Sequence, residues 1–255
     1  MVAIEHDRTL VDLWQDPDPE TASLERVYAI GDIHGRLDLL QSLEKAILQD
    51  MGARPVARAA ICYLGDYIDR GPASAEVLAH LATPKADGIS RVFLKGNHDE
   101  RLLAFLVSPD KYGPDWVRYG GREALRSFGI EVSLEPDDRE WQRVSDSLSN
   151  ALGHAEKNFL RHLRLAFCWR NYLFVHAGIN PDMPMTAQPC HDLMWIRDAF
   201  LESDRDYGRI IVHGHTISAE PDVQMNRIGI DTGAYSSGRL TCLILDDAGQ
   251  NFIST

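Results

Sequence analysis

Residues 65–72, Gly-Asp-Tyr-Ile-Asp-Arg-Gly-Pro, constrain this chain more than any other stretch. The apolar run 60–64 before them reads as a buried strand, and it stops at Gly65 followed by a carboxylate. Asp69 and Arg70 follow Asp66 closely, and Gly71-Pro72 opens a helical stretch over 73–81. Two acids and an arginine at a strand end are poor core material, because a buried charge needs a partner. They suit a site that holds metal and phosphate.

The pattern recurs on both sides. The short apolar run 27–30 leads into Gly31-Asp32-Ile33-His34-Gly35, and then Leu37, Leu40, Leu43 and Ile47 recur at helical spacing. The run 91–95 ends on Gly96-Asn97-His98-Asp99 and leads into a helix bearing Leu102, Leu103, Phe105 and Leu106. Asp32 and Asp66 are 34 residues apart, and Asp66 and Asn97 are 31 apart. Both intervals suit a βαβ unit of roughly 30 or more residues. Parallel strands joined this way share one carboxyl edge, where α/β sheets bind ligands. The three polar clusters are therefore expected to converge.

Residues 108–157 break this rhythm with Pro109, Pro114, Gly120-Gly121, Pro136 and polar helical patches such as 138–148. They read as an insertion over or beside the site. Trp116, Arg118 and Tyr119 within it either touch substrate or pack the insertion onto the body. After a helical stretch at 158–165, the runs 166–169 and 172–175 flank Arg170-Asn171 as a hairpin with a two-residue loop. The second of these ends on His176, the run 210–212 ends on His213-Gly214-His215, and 227–230 ends on Asp231. A strand at 240–245 closes the chain. A βαβ-like first half and a strand-rich second half predict an α/β fold of two mixed β-sheets packed together, flanked by helices. Residues 1–24, with Asp16-Pro17-Asp18-Pro19-Glu20, read as an acidic solvated arm before a single domain at 25–255.

With 255 residues, 44% of them hydrophobic, the chain can bury a full core. A formal net charge of −12 argues against a nucleic-acid surface or an anionic membrane as partner. Cys62, Cys168, Cys190 and Cys242 show no CxxC spacing and read as free thiols. No apolar stretch approaches the ~20 residues of a membrane span, and the first 20 residues lack a signal pattern. The expectation is a soluble, cytoplasmic protein with nothing that demands an oligomer, so a monomer.

A pair of divalent ions wants carboxylate and imidazole ligands, one carboxylate shared, and open positions for water and substrate. Asp32, His34 and Asp66 could hold one ion, and Asp66, Asn97, His176 and His215 the second. A single strand-end histidine is more simply a structural hydrogen-bonder. Repetition of His, Asp and Asn at strand ends along the whole chain is not explained that way.

As a set, GDIHG (31–35), GDYIDRG (65–71), GNHD (96–99), HAG (176–178) and GHT (214–216) resemble the signature of the phosphoprotein phosphatase family of metallophosphoesterases. The resemblance spans roughly residues 26–245 with all five blocks in family order, and IDTGAY (230–235) is similar to the prokaryotic and phage serine/threonine phosphatases. It implies an α/β/β/α sandwich and two metals on Asp32, His34, Asp66, Asn97, His176 and His215. It further implies His98 as general acid, Asp69 to orient it, and Arg70 to bind phosphate. Arg197, in Trp195-Ile196-Arg197, would be a second phosphate arginine, and Tyr235 a tyrosine at the site rim. Plainer readings are an Arg70–Asp69 surface pair and an Arg197–Asp198 helix charge. His213, one residue before the glycine of the GHT block, reads as packing or as support for a ligand, and Asp231 as a group that orients a metal-bound histidine.

The implied reaction is direct attack on phosphorus by a hydroxide bridging the two ions, with His98 protonating the leaving oxygen. Manganese is the expected ion in vitro, with iron or zinc also accepted by such ligands. IDRGP after the shared Asp favours phosphoserine and phosphothreonine esters in proteins as substrates. The alternative is a symmetrical dinucleoside polyphosphate or other small phosphoester, and the remaining one a catalytically dead interaction module. Asp99 stands where most eukaryotic members carry Glu, which weakens transfer of their substrate preference.

Overall fold

A computed structural model describes residues 23–255. Most of the expected arm lies outside the described residues. Of its last two positions, Leu24 is buried, and its carbonyl accepts a hydrogen bond from Trp169 Nε1 at 3.1 Å.

Two five-stranded sheets face each other. In the first, β1 (Arg26–Ile30), β2 (Ala59–Tyr63) and β3 (Ser90–Phe93) run parallel, joined by α1 (Leu37–Ala53) and α2 (Ser74–Ala82). β9 (Thr241–Asp246) pairs antiparallel with β1, and β10 (Gly249–Ser254) pairs antiparallel with β9 at the edge. The second sheet has the order β4 (Ala166–Trp169), β5 (Tyr172–Val175), β6 (Ile210–His213), β8 (Arg227–Gly229), β7 (Asp222–Val223). Its three central strands are parallel, and the β4–β5 hairpin turns through Arg170 at φ 50°.

Alternation along the strands builds the layers. On β1, Tyr28 and Ile30 join the core under α1, with Leu40, Leu43 and Ile47. Val27 and Ala29 point the other way and meet Phe174, Val212 and Ile228 between the sheets. Leu173, Val175 and Ile211 on the far face of the second sheet pack against Leu193 and Phe200. Burial on both faces explains why these strands read as continuous apolar runs.

The segment 108–157 is helical: α4 (Pro109–Trp116), a widened turn at Val117–Gly121, α5 (Arg122–Ser127), α6 (Asp138–Ala151) and the start of α7 (His154–Arg161). Trp116, Trp141, Val144 and Leu148 belong to the same core as α1 and α2, so the segment has no separate core.

Two details differ from the sequence reading. The strand at 241–246 is not the last, since β10 follows it. The residues Gly249-Gln250-Asn251 are exposed and polar, so an edge strand held mainly by backbone pairing leaves no hydrophobic alternation to read. The helix expected at 158–165 lies at His154–Arg161, and Arg164 is drawn instead into a bridge beside Leu94.

Candidate metal centre and its cleft

The carboxyl ends of β1, β2, β5, β6 and β8 open on one edge, and α3 (Asn97–Val107) starts there after β3. Asp32, His34, Asp66, Asn97, His98, His176 and His215 are all buried on that edge. Two groups of ligand atoms each lie within 4.8 Å of one another: His34, Asp66 and His98, and Asp66, His176 and His215. Asp66 is common to both. Its Oδ2 stands 3.5 Å from His34 Nε2 and 3.4 Å from His176 Nε2.

The imidazoles are held with one nitrogen facing inward. His34 Nδ1 donates to the Ile68 carbonyl at 2.8 Å, and His176 Nδ1 to the Leu64 carbonyl at 2.9 Å. These bonds fix each ring and aim Nε2 at Asp66, which is how protein metal sites orient histidine ligands. Asn97 Oδ1 lies 2.9 Å from His176 Nε2. His215 Nε2 is buried with no partner in the protein. An orphaned imidazole nitrogen, two oriented ones and a shared carboxylate suit a binuclear site of divalent cations.

Electrostatics agree. Burial pushes His34 down to about 3 against the pull of Asp66, and burial and His176 push His215 down to about 2, so both rings are neutral, the form a cation requires. Burial opposes ionisation of Asp66, but His176, His98 and His34 outweigh it and hold the carboxyl well below its usual range. Burial and the nearby Asp231 raise Asp32.

Asp32 sits outside the two tight groups, with its oxygens accepting from His215 N at 3.0 and 3.2 Å. Asp231, expected to orient a histidine, accepts from Gly233 N at 2.9 Å. His213 is buried against Phe200, with ring centroids 5.2 Å apart, and is a packing residue rather than a member of either group.

His98 and Asp69 form the expected pair, Nδ1 to Oδ2 at 2.6 Å. Trp116 Nε1 from the insertion donates to both oxygens of the same carboxylate at 3.1 and 2.9 Å. Arg70 reaches across, with Nη1 3.0 Å from His34 Nε2 and Nη2 3.0 Å from His98 Nε2. A guanidinium only donates, so it meets lone pairs there, and the proton of each ring sits on Nδ1. Burial opposes charge on His98, yet Asp66 and Asp69 outweigh it and raise its pKa. The ring thus keeps a proton on Nδ1 and can gain or lose one at Nε2.

Backbone geometry is shaped for the site. His34, Asp66, Asp69, Arg70 and His215 all have positive φ, and Arg170 is the one other non-glycine residue that does among the described residues. Each such residue costs roughly 1–3 kcal/mol, which the surrounding structure must offset. Asp99, which sequence reading treated only as a departure, explains part of the hold. Its carboxylate accepts from Asp66 N, Tyr67 N and Gly96 N at 2.9, 3.2 and 2.9 Å, tying the β2 loop to the start of α3. A carboxylate three residues past the helix cap is a capping pattern, and that was the available signal.

A cleft of about 170 Å³ adjoins the centre, lined by Arg70, Asn97, His98, Arg101, Asp115, Trp116, Tyr119, Trp195 and Arg197. Arg197 is exposed, with Nη1 3.4 Å from Thr216 Oγ1. Tyr235 packs against Arg70, whose Cζ lies 4.9 Å from the ring centroid, and edge-on to His34 at 5.5 Å. Trp116 both anchors the insertion and borders the cleft. Tyr119 lines the rim with 60% of its surface exposed.

The sequence pattern of calcineurin-like phosphoesterases matches residues 25–235. The chain belongs to the calcineurin-like phosphoesterase family. It is accordingly a phosphoester hydrolase, built as two mixed sheets with flanking helices. The asymmetrical bis(5'-nucleosyl)-tetraphosphatase PrpE of Anoxybacillus flavithermus is 25% identical over 237 residues, covering 84% of this chain and 88% of the relative. Serine/threonine-protein phosphatase 2 of Escherichia coli K12 is 27% identical over 232 residues, covering 84% and 90%. The cold-active protein-tyrosine phosphatase of a psychrophilic Shewanella shares the fold, with TM-score 0.56 at 17% identity over 93% of this chain and 83% of that one. No helix among the described residues is long and apolar enough to cross a membrane.

Proposed function

We propose that this phosphoesterase transfers a phosphoryl group from an ester or anhydride to water, with His98 as the proton donor to the leaving oxygen. The observation that carries this reading is Asp66 between two inward-facing imidazole groups with the His98–Asp69 pair beside it. Asp32, His34, Asp66, Asn97, His176 and His215 would hold two divalent ions, with Asp32 also accepting from the His215 main chain. Such ions, manganese in our reading, supply Lewis acidity that generates a nucleophilic water near neutral pH and neutralises phosphoryl oxygens. Arg70 and Arg197 bind the non-bridging oxygens with a planar fork that lysine lacks. Asp69, supported by Trp116, keeps the His98 ring turned so that Nε2 faces the departing oxygen.

Two substrate classes stand. The block from Gly65 to Pro72 favours phosphoserine and phosphothreonine in proteins. A third arginine in the cleft favours a small substrate whose leaving group is itself anionic, such as a dinucleoside polyphosphate. The relatives named above include both kinds of enzyme at equal coverage of this chain. The test is phosphate release with added manganese from p-nitrophenyl phosphate, a phosphoserine peptide and diadenosine tetraphosphate. Turnover that disappears on chelation and in Asp66→Asn is expected. Turnover that survives both would overturn the reading.

A further inference from the structure

We propose that Arg101 forms a leaving-group subsite that binds a second phosphoryl group, which makes nucleoside polyphosphates the preferred substrates. The inference rests on the assignment of His98 as donor to the leaving oxygen.

Arg101 lies three residues after His98 on α3, so both side chains leave the same helix face about 5–6 Å apart. His98 and Arg101 line the same cleft, so a group bonded to the oxygen that His98 protonates comes within reach of Arg101. Arg101 is fixed there by stacking. Its Cζ lies 5.1 Å from the Trp195 ring centroid and 5.3 Å from that of Tyr112. Trp195 is itself pinned by Nε1 donating to Glu100 Oε2 at 2.7 Å and by stacking on His191 at 5.7 Å. Aromatic rings orient a guanidinium without neutralising it. Among the described residues, neither Arg70, Arg101 nor Arg197 pairs with a carboxylate, and the one acid lining the cleft, Asp115, is exposed at the rim.

Arg70 and Arg197 already serve the attacked phosphoryl group, so a single phosphomonoester leaves Arg101 without an anionic partner. A neutral serine or threonine side chain as leaving group gives Arg101 nothing to bind. A leaving phosphate does. Hydrolysis then adds the oxygen of water to the attacked phosphorus and breaks its bond to the bridging oxygen. The electron pair stays on that oxygen, which takes its proton from His98 while Arg101 holds the departing phosphate. Tyr119, at the rim of the same cleft with 60% of its surface exposed, offers an aromatic surface on which a base could stack.

The test compares unmodified protein with Arg101→Met, which keeps the apolar stem between the rings, and with Arg101→Lys, which keeps charge. In Arg101→Met, kcat/KM for diadenosine tetraphosphate should fall about 10–100-fold further than for p-nitrophenyl phosphate, the scale of a lost charge-assisted contact, chiefly through KM. Arg101→Lys should restore part of it. Equal losses on both substrates, or a larger loss on a phosphoserine peptide flanked by aspartates, would overturn the proposal. Binding of ADP, measured by titration calorimetry, should weaken at least tenfold in Arg101→Met, and unchanged binding would also overturn it. Should neither p-nitrophenyl phosphate nor diadenosine tetraphosphate be turned over while ADP binding depends on Arg101, the reaction proposed for His98 fails and Arg101 stands as a phosphate-binding group.

Discussion

At the scale of single residues, the site works by controlling where protons sit. His98 is held by Asp69, and Asp69 in turn by Trp116, so the acid has a fixed ring and one mobile proton. Proton donation matters most when the leaving oxygen is basic. His98→Ala should therefore lower kcat by ~10²–10⁴-fold on an alkyl phosphate such as phosphoserine. The loss should be much smaller on p-nitrophenyl phosphate, whose leaving group departs without help, and equal losses would remove His98 from the acid role. His176 is the complementary case. Burial opposes its charge, but Asp66 and Asp32 raise it to about 10, so near neutral pH the ring is protonated until a cation takes Nε2. Metal uptake must then displace a proton, and apparent affinity should rise with pH up to about 10. Calorimetry of manganese binding in buffers of different ionisation enthalpy would register the release. Binding that is independent of buffer and of pH between 6 and 9 would contradict it.

At the scale of elements, two loops meet so closely that one glycine decides whether they can. A Cβ at Gly96 would stand 2.0 Å from Asp66 Oδ1 and 2.4 Å from Asp66 N. Gly96→Ala should thus push aside the shared carboxylate, abolishing manganese binding and turnover while far-UV circular dichroism stays that of the folded protein. Retained stoichiometric binding would show that the β2 loop yields. Such contacts also mark what could be read from sequence. The strands β1, β2 and β3 and their polar ends were legible because apolar runs stop abruptly at acids and glycines, and βαβ spacing forces those ends together. The edge strand β10 was not, because its backbone pairs with β9 while polar side chains at 249–251 face solvent. Asp32 was legible as a site residue but not as the group that grips His215 N, because that contact joins residues 183 apart. Arg101 went unread for another reason. Its meaning lies in stacking on Trp195 and Tyr112, which no local pattern announces.

For the molecule as a whole, the site concentrates buried charge that the fold tolerates in order to bind cations. Asp32 illustrates the balance. It is 2% exposed, and burial, Asp231 and Asp66 raise its pKa, while His176 and the His215 N–H oppose the rise. A carboxyl whose folded pKa lies above its unfolded value, about 3.9, subtracts stability once pH exceeds that value, and the penalty grows until the folded pKa is passed. At pH 7 without metal, Asp32→Asn should remove this penalty while its amide oxygen still accepts from His215 N. The unfolding midpoint of the metal-free protein should rise. With divalent cation the order should invert. A ligand that binds only the folded chain adds RT ln(1 + [L]/Kd), about 2.7 kcal/mol at a hundredfold excess over Kd, and the variant, with one anionic charge fewer beside the centre, forfeits part of that increment. Thermal unfolding of both proteins with chelator and with manganese gives the four midpoints required. A variant that is less stable in both conditions would mean that Asp32 is a structural hydrogen-bonder whose charge the fold does not resist.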